Sequence, residues 1–340
     1  MSNPKVTIVV VPRERFSYTE NSLNSIYENT HFPHNLVYVD GNSPTHIKRY
    51  LERQSQEKGF ELIRRNQFLT PNQARNLGLA QVKTKYVVFI DNDVLVKPGW
   101  LEKLVATAES TKAWIVGPLC LEGKNFNKVH MVGGTSVFKE KGQKRWLVER
   151  RPFMRLPLEK VKAKIHRGST EILEFHCMLV RCEAFEKLGF LDEKLMSMAE
   201  ESDFSMSVVA SGNSIYLEPE SVITYVPPSP ADLKLSDLPF FFVRWSDSWC
   251  QQSVDRFHEK WNLTEDALIL KHLQHFVENH RCLAYPKPKE MTAYPGYLLR
   301  RSILSIVKEV MNRRASRIVL PENTYSTNSQ SVTDKQATYA

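Results

Sequence analysis

Through the first third of the chain, short runs of apolar and β-branched residues alternate with stretches whose apolar positions recur every three or four residues. The runs Val6 to Val11, Leu36 to Asp40, Glu61 to Arg64, Tyr86 to Ile90 and Trp114 to Val116 have the length and composition of strands. Between the first two, Leu23, Ile26 and Tyr27 fall on one helical face. After Pro98, a residue that suits a helix start, Trp100, Leu101, Leu104, Val105 and Ala108 do the same. Strands alternating with helices predict β-α-β units on a mostly parallel sheet, an α/β fold.

The pattern then changes. From Lys124 to Arg167 the chain is basic and irregular, with Lys141, Lys144, Arg145, Arg150 and Arg151 around Trp146, which predicts a loop or hairpin able to cover a site. Regular structure resumes with a strand over Ile172 to Val180, a short segment over Glu183 to Leu188 and a helix from about Glu201 to Ser211. Pro227-Pro228-Ser229-Pro230 marks a boundary. Beyond it, helical signals from Leu235 to Asn279 predict a smaller α region. Its Phe240, Phe241, Phe242, Trp245 and Trp249 either form a core against the first domain or present rings to a sugar or lipid acceptor, with Arg256 or Lys260 steadying a pyrophosphate in the second case. The last helix, from about Tyr297 to Ile318, carries Leu299, Ile303, Ile306, Val307, Val310 and Met311 near one side. Against Glu309 it sets Arg300, Arg301, Lys308, Arg313, Arg314 and Arg317. Such a helix either docks on the domain with a solvated basic face or lies on an anionic bilayer. The expected division is a first domain over residues 1–230, a helical region over 231–320 and a disordered polar tail over 321–340.

Composition narrows the class. With 340 residues, 42% hydrophobic and 25% charged, the chain can bury a sizeable core and is too apolar for wholesale disorder or a collagen-like rod. No apolar stretch approaches the ~20 residues of a membrane-spanning helix, and the run after Lys5 is shorter than the about 7 to 15 residues of a secretory core. A cytoplasmic protein is expected. The cysteines Cys120, Cys177, Cys182, Cys250 and Cys282 are odd in number and irregularly spaced, which argues for buried reduced thiols over a disulfide framework or zinc ribbon. An excess of 46 Lys and Arg over 38 Asp and Glu leaves +8, which suits nucleic acid, an anionic membrane or a phosphorylated ligand without choosing among them.

Candidate chemistry lies at Tyr86-Val-Val-Phe-Ile-Asp-Asn-Asp93, an apolar strand ending in two carboxylates one residue apart. In open α/β sheets ligands bind at the carboxyl ends of strands, and two such acids suit Mg²⁺ or Mn²⁺, a cation that would clamp a diphosphate. Taken alone, such a pair is more often a turn in which Asp91 or Asp93 caps the next helix. Context reverses the weighing. Thr70-Pro-Asn-Gln-Ala-Arg-Asn-Leu-Gly78 precedes that strand, and Leu36-Val-Tyr-Val-Asp-Gly-Asn-Ser-Pro44 ends an earlier one. With the opening strand leading into Pro12 and Arg13, this order of motifs resembles the family 2 glycosyltransferases of the GT-A fold, over about residues 5 to 225.

The resemblance implies a GT-A, Rossmann-like mixed sheet flanked by helices, here with a C-terminal α-helical extension. It implies a metal-dependent, inverting transfer of a hexosyl or deoxyhexosyl group from a nucleotide-diphosphate donor to a hydroxyl of a saccharide or glycolipid, in surface polysaccharide or glycoconjugate assembly. Residue by residue, Pro12 would lie at the nucleotide, Asp40 would contact its base or ribose, and Arg75 and Asn76 would line its pocket. Asp91 would serve both nucleotide sugar and cation, and Asp93 the cation. Met198-Ala-Glu-Glu-Ser-Asp-Phe204 resembles the acidic segment that opens a helix near the acceptor, with Glu201 at the catalytic position and Glu200 its rival. A carboxylate there can take the acceptor proton as oxygen attacks the anomeric carbon. Glu in place of the family's Asp alters reach, an acidic first helical turn also suits the helix dipole, and Asp203 is expected to support structure. Phe175-His-Cys-Met-Leu-Val-Arg181 resembles the acceptor-side segment, with His176 and Cys177 where small residues are common. Ile223-Thr-Tyr-Val-Pro227 lacks the His that many relatives bring to the metal, so no third ligand is expected there.

Two other readings compete. A nucleotidyltransferase would carry a glycine-rich basic loop near the first strand, and Val11-Pro-Arg-Glu-Arg15 has no glycine. A non-catalytic nucleic-acid-binding protein would draw on the basic Lys124 to Arg167 stretch, which holds no known module of that kind, so no nucleic acid partner is expected.

Overall fold

The computed structural model describes residues 4–123, 125–229, 232–264, 267–285 and 297–317. The chain opens β1 (Val6–Val11), α1 (Thr19–Asn29), β2 (His34–Gly41), α2 (Thr45–Lys58), β3 (Glu61–Arg65), α3 (Pro71–Leu79) and β4 (Tyr86–Asp91). β1 pairs in parallel with both β2 and β4, and β2 with β3. Val6, Ile8 and Val10 face one hydrophobic cluster while Val9 and Val11 face another. The run is apolar without alternation because both faces of the strand are covered.

The second half follows as β5 (Val94–Val96), α4 (Trp100–Thr111), β6 (Ile115–Glu122), β7 (Lys128–Met131), β8 (Thr135–Lys141), β9 (Lys144–Arg150), α5 (Leu158–Val161), β10 (Gly168–Thr170), β11 (Cys177–Arg181), α6 (Glu183–Leu188), α7 (Glu200–Ala210) and β12 (Ile215–Tyr225). The spatial order is β10-β12-β6-β11-β4-β1-β2-β3, with β11 antiparallel between β4 and β6, so the sheet is mixed. The basic stretch forms the antiparallel β8–β9 hairpin. The strand expected over Ile172 to Val180 starts only at Cys177, because Ile172, Leu173 and Phe175 are buried outside any strand.

Last come α8 (Leu238–Arg244), α9 (Asp247–Trp261), α10 (Ala267–Cys282) and α11 (Tyr297–Ala315). Phe241, Phe242, Trp245 and Trp249 form a third cluster with Leu304 and Met311. Phe240 reaches back to stack on Phe16 at 4.9 Å. These rings are core, which overturns the alternative of exposed aromatic platforms for an acceptor. Of the thiols, Cys120, Cys177 and Cys250 are buried and Cys282 is exposed, all free. The tail expected over 321–340 lies outside the described residues.

One glycine sets how closely α3 approaches the sheet. A Cβ on Gly78 would stand 2.2 Å from Val9 Cγ1 and 3.3 Å from Val39 Cγ2. Gly78→Ala is therefore expected to destabilise the protein by about 1–3 kcal/mol through overpacking, read as a lower midpoint in urea denaturation.

Candidate active site

Three turns of chain meet at the carboxyl end of β4. Asp91 ends the strand, and Asn92 behind it is a staple. Its side-chain Oδ1 accepts from the Arg13 N–H at 3.0 Å, and its Nδ2 donates to Arg15 O at 2.8 Å. That ties the Pro12–Arg15 turn, Pro12 buried within it, to the acidic strand end. The register of β11 supplies the third turn: Cys177 pairs with Ile90, so His176 arrives opposite Asp91, whose N–H donates to His176 O at 3.2 Å.

The two acids are in opposite electrostatic states. Burial raises the Asp91 carboxyl, but the hydrogen bond to His176 Nδ1 at 3.0 Å and the Arg13 and Arg75 charges outweigh it, so its pKa is lowered. Asp93 is less well served: against burial the Arg15 and Arg13 charges pull its pKa down, but no hydrogen bond does. Both its oxygens are buried without a hydrogen-bond donor, and its pKa is pushed well up by burial and by the neighbouring Glu14 and Asp91 charges. A buried carboxylate with two free oxygens is costly unless something positive completes it.

A divalent cation fits that need. Among the described residues one ligand atom each from Asp91, Asp93 and His176 lie within 4.8 Å of one another. Burial, with the Arg13 charge, lowers the His176 pKa, which favours the neutral imidazole that ligates metals. Sequence reasoning looked for the third ligand on the late strand and did not expect it from His176, because only the β11–β4 register brings that residue in. His176 also closes a second grouping with His130 and Glu174. There His130 lies 2.8 Å from both Glu122 and Glu174; burial lowers its pKa, but those carboxylates outweigh it and raise it to about 9. A protonated His130 makes that grouping an ion-paired support. No cysteine joins either group.

Arg75 links this corner to the start of α7. Fully buried beneath the Phe175 ring at 4.0 Å, its guanidinium is 3.4 Å from Asp91 Oδ1 and 3.9 Å from Glu200 Oε1. Glu200 also accepts from Arg244 Nη2 at 3.1 Å, so it is a buried carboxylate between two arginines. Glu201 points elsewhere, its side chain 21% exposed and 3.5 Å from Arg151 at the end of the β8–β9 hairpin. Burial and the Glu200 charge push its pKa up to about 7 against the pull of Arg151. Ala199, left-handed at φ 65, stands as the N-cap immediately before both carboxylates.

The remaining expected residues stand further out. Asp40 accepts from the Ser43 N–H and hydroxyl, each at 2.9 Å, and pairs with Arg64, so both its oxygens are occupied. Asn76 ties α3 to the loop before α7, accepting from the Leu191 N–H at 3.0 Å and donating to Glu193 at 2.9 Å. Asp203 pairs with Lys260 and Trp261, and Arg256 with Asp192, so each of the two bases already holds a carboxylate. Sequence reasoning missed Glu14, buried and accepting from Tyr225 Oη at 2.5 Å and Trp245 Nε1 at 2.7 Å. It also missed Arg244. Arg244 lies inside the run Phe240 to Trp245, which marks it as a buried charge without indicating its partner, whereas Glu14, between Arg13 and Arg15, carries no such signal.

Comparisons with known proteins bear on this arrangement. The sequence profile of Glycosyl transferase family 2 matches residues 7–189, more than half the chain. An O-antigen biosynthesis protein, RfbC of Myxococcus xanthus, is 26% identical over 220 residues, 62% of this chain and 16% of that protein. An uncharacterized glycosyltransferase of Haemophilus influenzae is 27% identical over 107 residues, 31% of this chain and 33% of its own length. The chain thus spans a third or less of these relatives. Among solved structures, GalNAc-T7 with UDP, GalNAc and Mn²⁺ superposes with a TM-score of 0.53 at 17% identity, covering 88% of this chain and 58% of that one.

Proposed function

Because this chain belongs to glycosyl transferase family 2 and has the GT-A fold, we propose that it moves a hexosyl or deoxyhexosyl group from a nucleoside-diphosphate donor to a hydroxyl of a saccharide or glycolipid acceptor. The observation that carries the reading is the pair of buried, donor-less oxygens on Asp93 beside Asp91 and His176. Asp91, Asp93 and His176 would hold Mg²⁺ or Mn²⁺, which when bound supplies positive charge to a leaving diphosphate. The match to an O-antigen biosynthesis protein favours surface polysaccharide assembly as the setting.

The chain's own residues do the rest. Glu201 takes the acceptor proton as that oxygen attacks the anomeric carbon, a single displacement that inverts the sugar. Arg151 holds Glu201 in place, and Arg75 and Arg244 fix Glu200 beside it as an orienting charge. Arg13, whose pKa is raised by Asp91, Tyr225 and Glu14 against the effect of burial, stays charged at the same corner and offers a donor to phosphate oxygens.

The test is a nucleotide-sugar screen with Mn²⁺, scored by nucleoside diphosphate release across pH. Transfer should require the divalent ion and fall as pH drops below about 7, where Glu201 becomes protonated. Its stability contribution has the opposite sign. With a folded pKa raised above the ordinary 4.5, that contribution is full below 4.5 and lost as pH rises through about 7. An acid limb near 4.5, or release indifferent to the ion, would contradict these assignments.

A further inference from the structure

Helix α11 has two apolar faces, and the protein covers only one. Leu304, Met311 and Ala315 are buried where α11 packs on α8 and α9. Leu299, Ile303, Ile306 and Val310 are 67%, 44%, 63% and 43% exposed. At ~100° per residue these four fall within about 60° of one another, and the buried three lie roughly 120° further round. The exposed four form a continuous stripe about 16 Å long. Its C-terminal end is basic: Arg313, Arg314 and Arg317 are exposed there, and among the described residues only Arg313 is in an ion pair, with Glu309 at 2.9 Å. Arg300, Arg301 and Lys308 add to the charge of the same helix.

Aliphatic side chains in a narrow line, crowned by arginines and with the opposite face fixed to the body of the protein, complement an anionic lipid surface. We propose that α11 docks the protein on an anionic bilayer, the stripe in the acyl boundary and the arginines among phosphate headgroups. No helix among the described residues is long and apolar enough to cross a membrane, so this contact would run along the surface. A second copy of the chain fits less well, since a symmetric pairing would bring two arginine clusters onto the same interface.

Vesicle flotation with the full chain tests this without any catalytic step, so its failure would leave the glycosyl-transfer reading untouched. The protein should float with phosphatidylglycerol vesicles, remain behind with pure phosphatidylcholine, and be released by salt. The double variant Ile303→Glu, Ile306→Glu alters only exposed positions and should keep the parent melting temperature while losing about tenfold or more of the vesicle-bound fraction. Arg314→Gln with Arg317→Gln should lose a comparable amount at low salt. The proposal is overturned if the parent stays behind with anionic vesicles or if either double variant floats as well as the parent. It is also overturned if sedimentation shows a parent dimer that the isoleucine variant dissolves, which would assign the stripe to self-association.

Discussion

Asp93→Ala should abolish donor turnover while leaving the metal-free protein at least as stable as the parent. The two effects share one cause. The Asp93 carboxyl is buried, both its oxygens lack donors, and Glu14 and Asp91 crowd it with like charge. An unsatisfied buried polar group costs about 1–3 kcal/mol, so removing it returns stability that offsets the small void left behind. A melting temperature in EDTA that is equal or raised by a few degrees, together with loss of nucleoside diphosphate release, is the expected pair of results. A variant that melts well below the parent would mean that Asp93 supports the fold and needs no cation.

The second large effect separates two adjacent carboxylates. Glu201→Gln should leave donor binding and melting temperature close to parental while reducing transfer by about 10²- to 10⁴-fold, the range for loss of a positioned base. Its only ion-pair partner among the described residues is Arg151 at 3.5 Å, so the fold depends on it little. Glu200→Gln should behave in the reverse order. It removes the negative charge between Arg244 and Arg75, and breaking one side of a buried ion network costs about 3–5 kcal/mol. The melting temperature should therefore drop, with activity following stability. If Glu200→Gln keeps its melting temperature and alone loses transfer, the base is one position earlier than the geometry indicates.

How far the sequence reveals this site depends on the kind of physics each residue reports. Strands β1 and β4 are legible because largely apolar runs of that length fit a sheet covered on both faces, whereas β2 and the partly exposed edge strand β3 are marked only by shorter apolar stretches. The start of α3 is legible for a local reason: Thr70 and Gln73 form a reciprocal capping box around Pro71. Part of the Thr70 to Gly78 motif is thus helix-start chemistry, and Gly78 at its end is a close-approach residue. Strand β12 is hard to see, since Glu218, Pro219, Glu220 and Ser221 interrupt it at a register shift. His176, Arg151 and Arg244 are the least legible. Each reaches the site through a long-range pairing, antiparallel β11, the β8–β9 hairpin or the docking of α8, and no local pattern encodes a partner so far along the chain.

The claim beneath the whole account is that Asp93 and Asp91 grip a divalent ion, and electron paramagnetic resonance of Mn²⁺ addresses it directly. Titrated in the presence of a nucleoside diphosphate, the parent protein should quench the free-ion signal with one site per chain, and Asp93→Ala should leave that signal at its protein-free intensity. A parent that quenches nothing, or a variant that quenches equally, would contradict the claim.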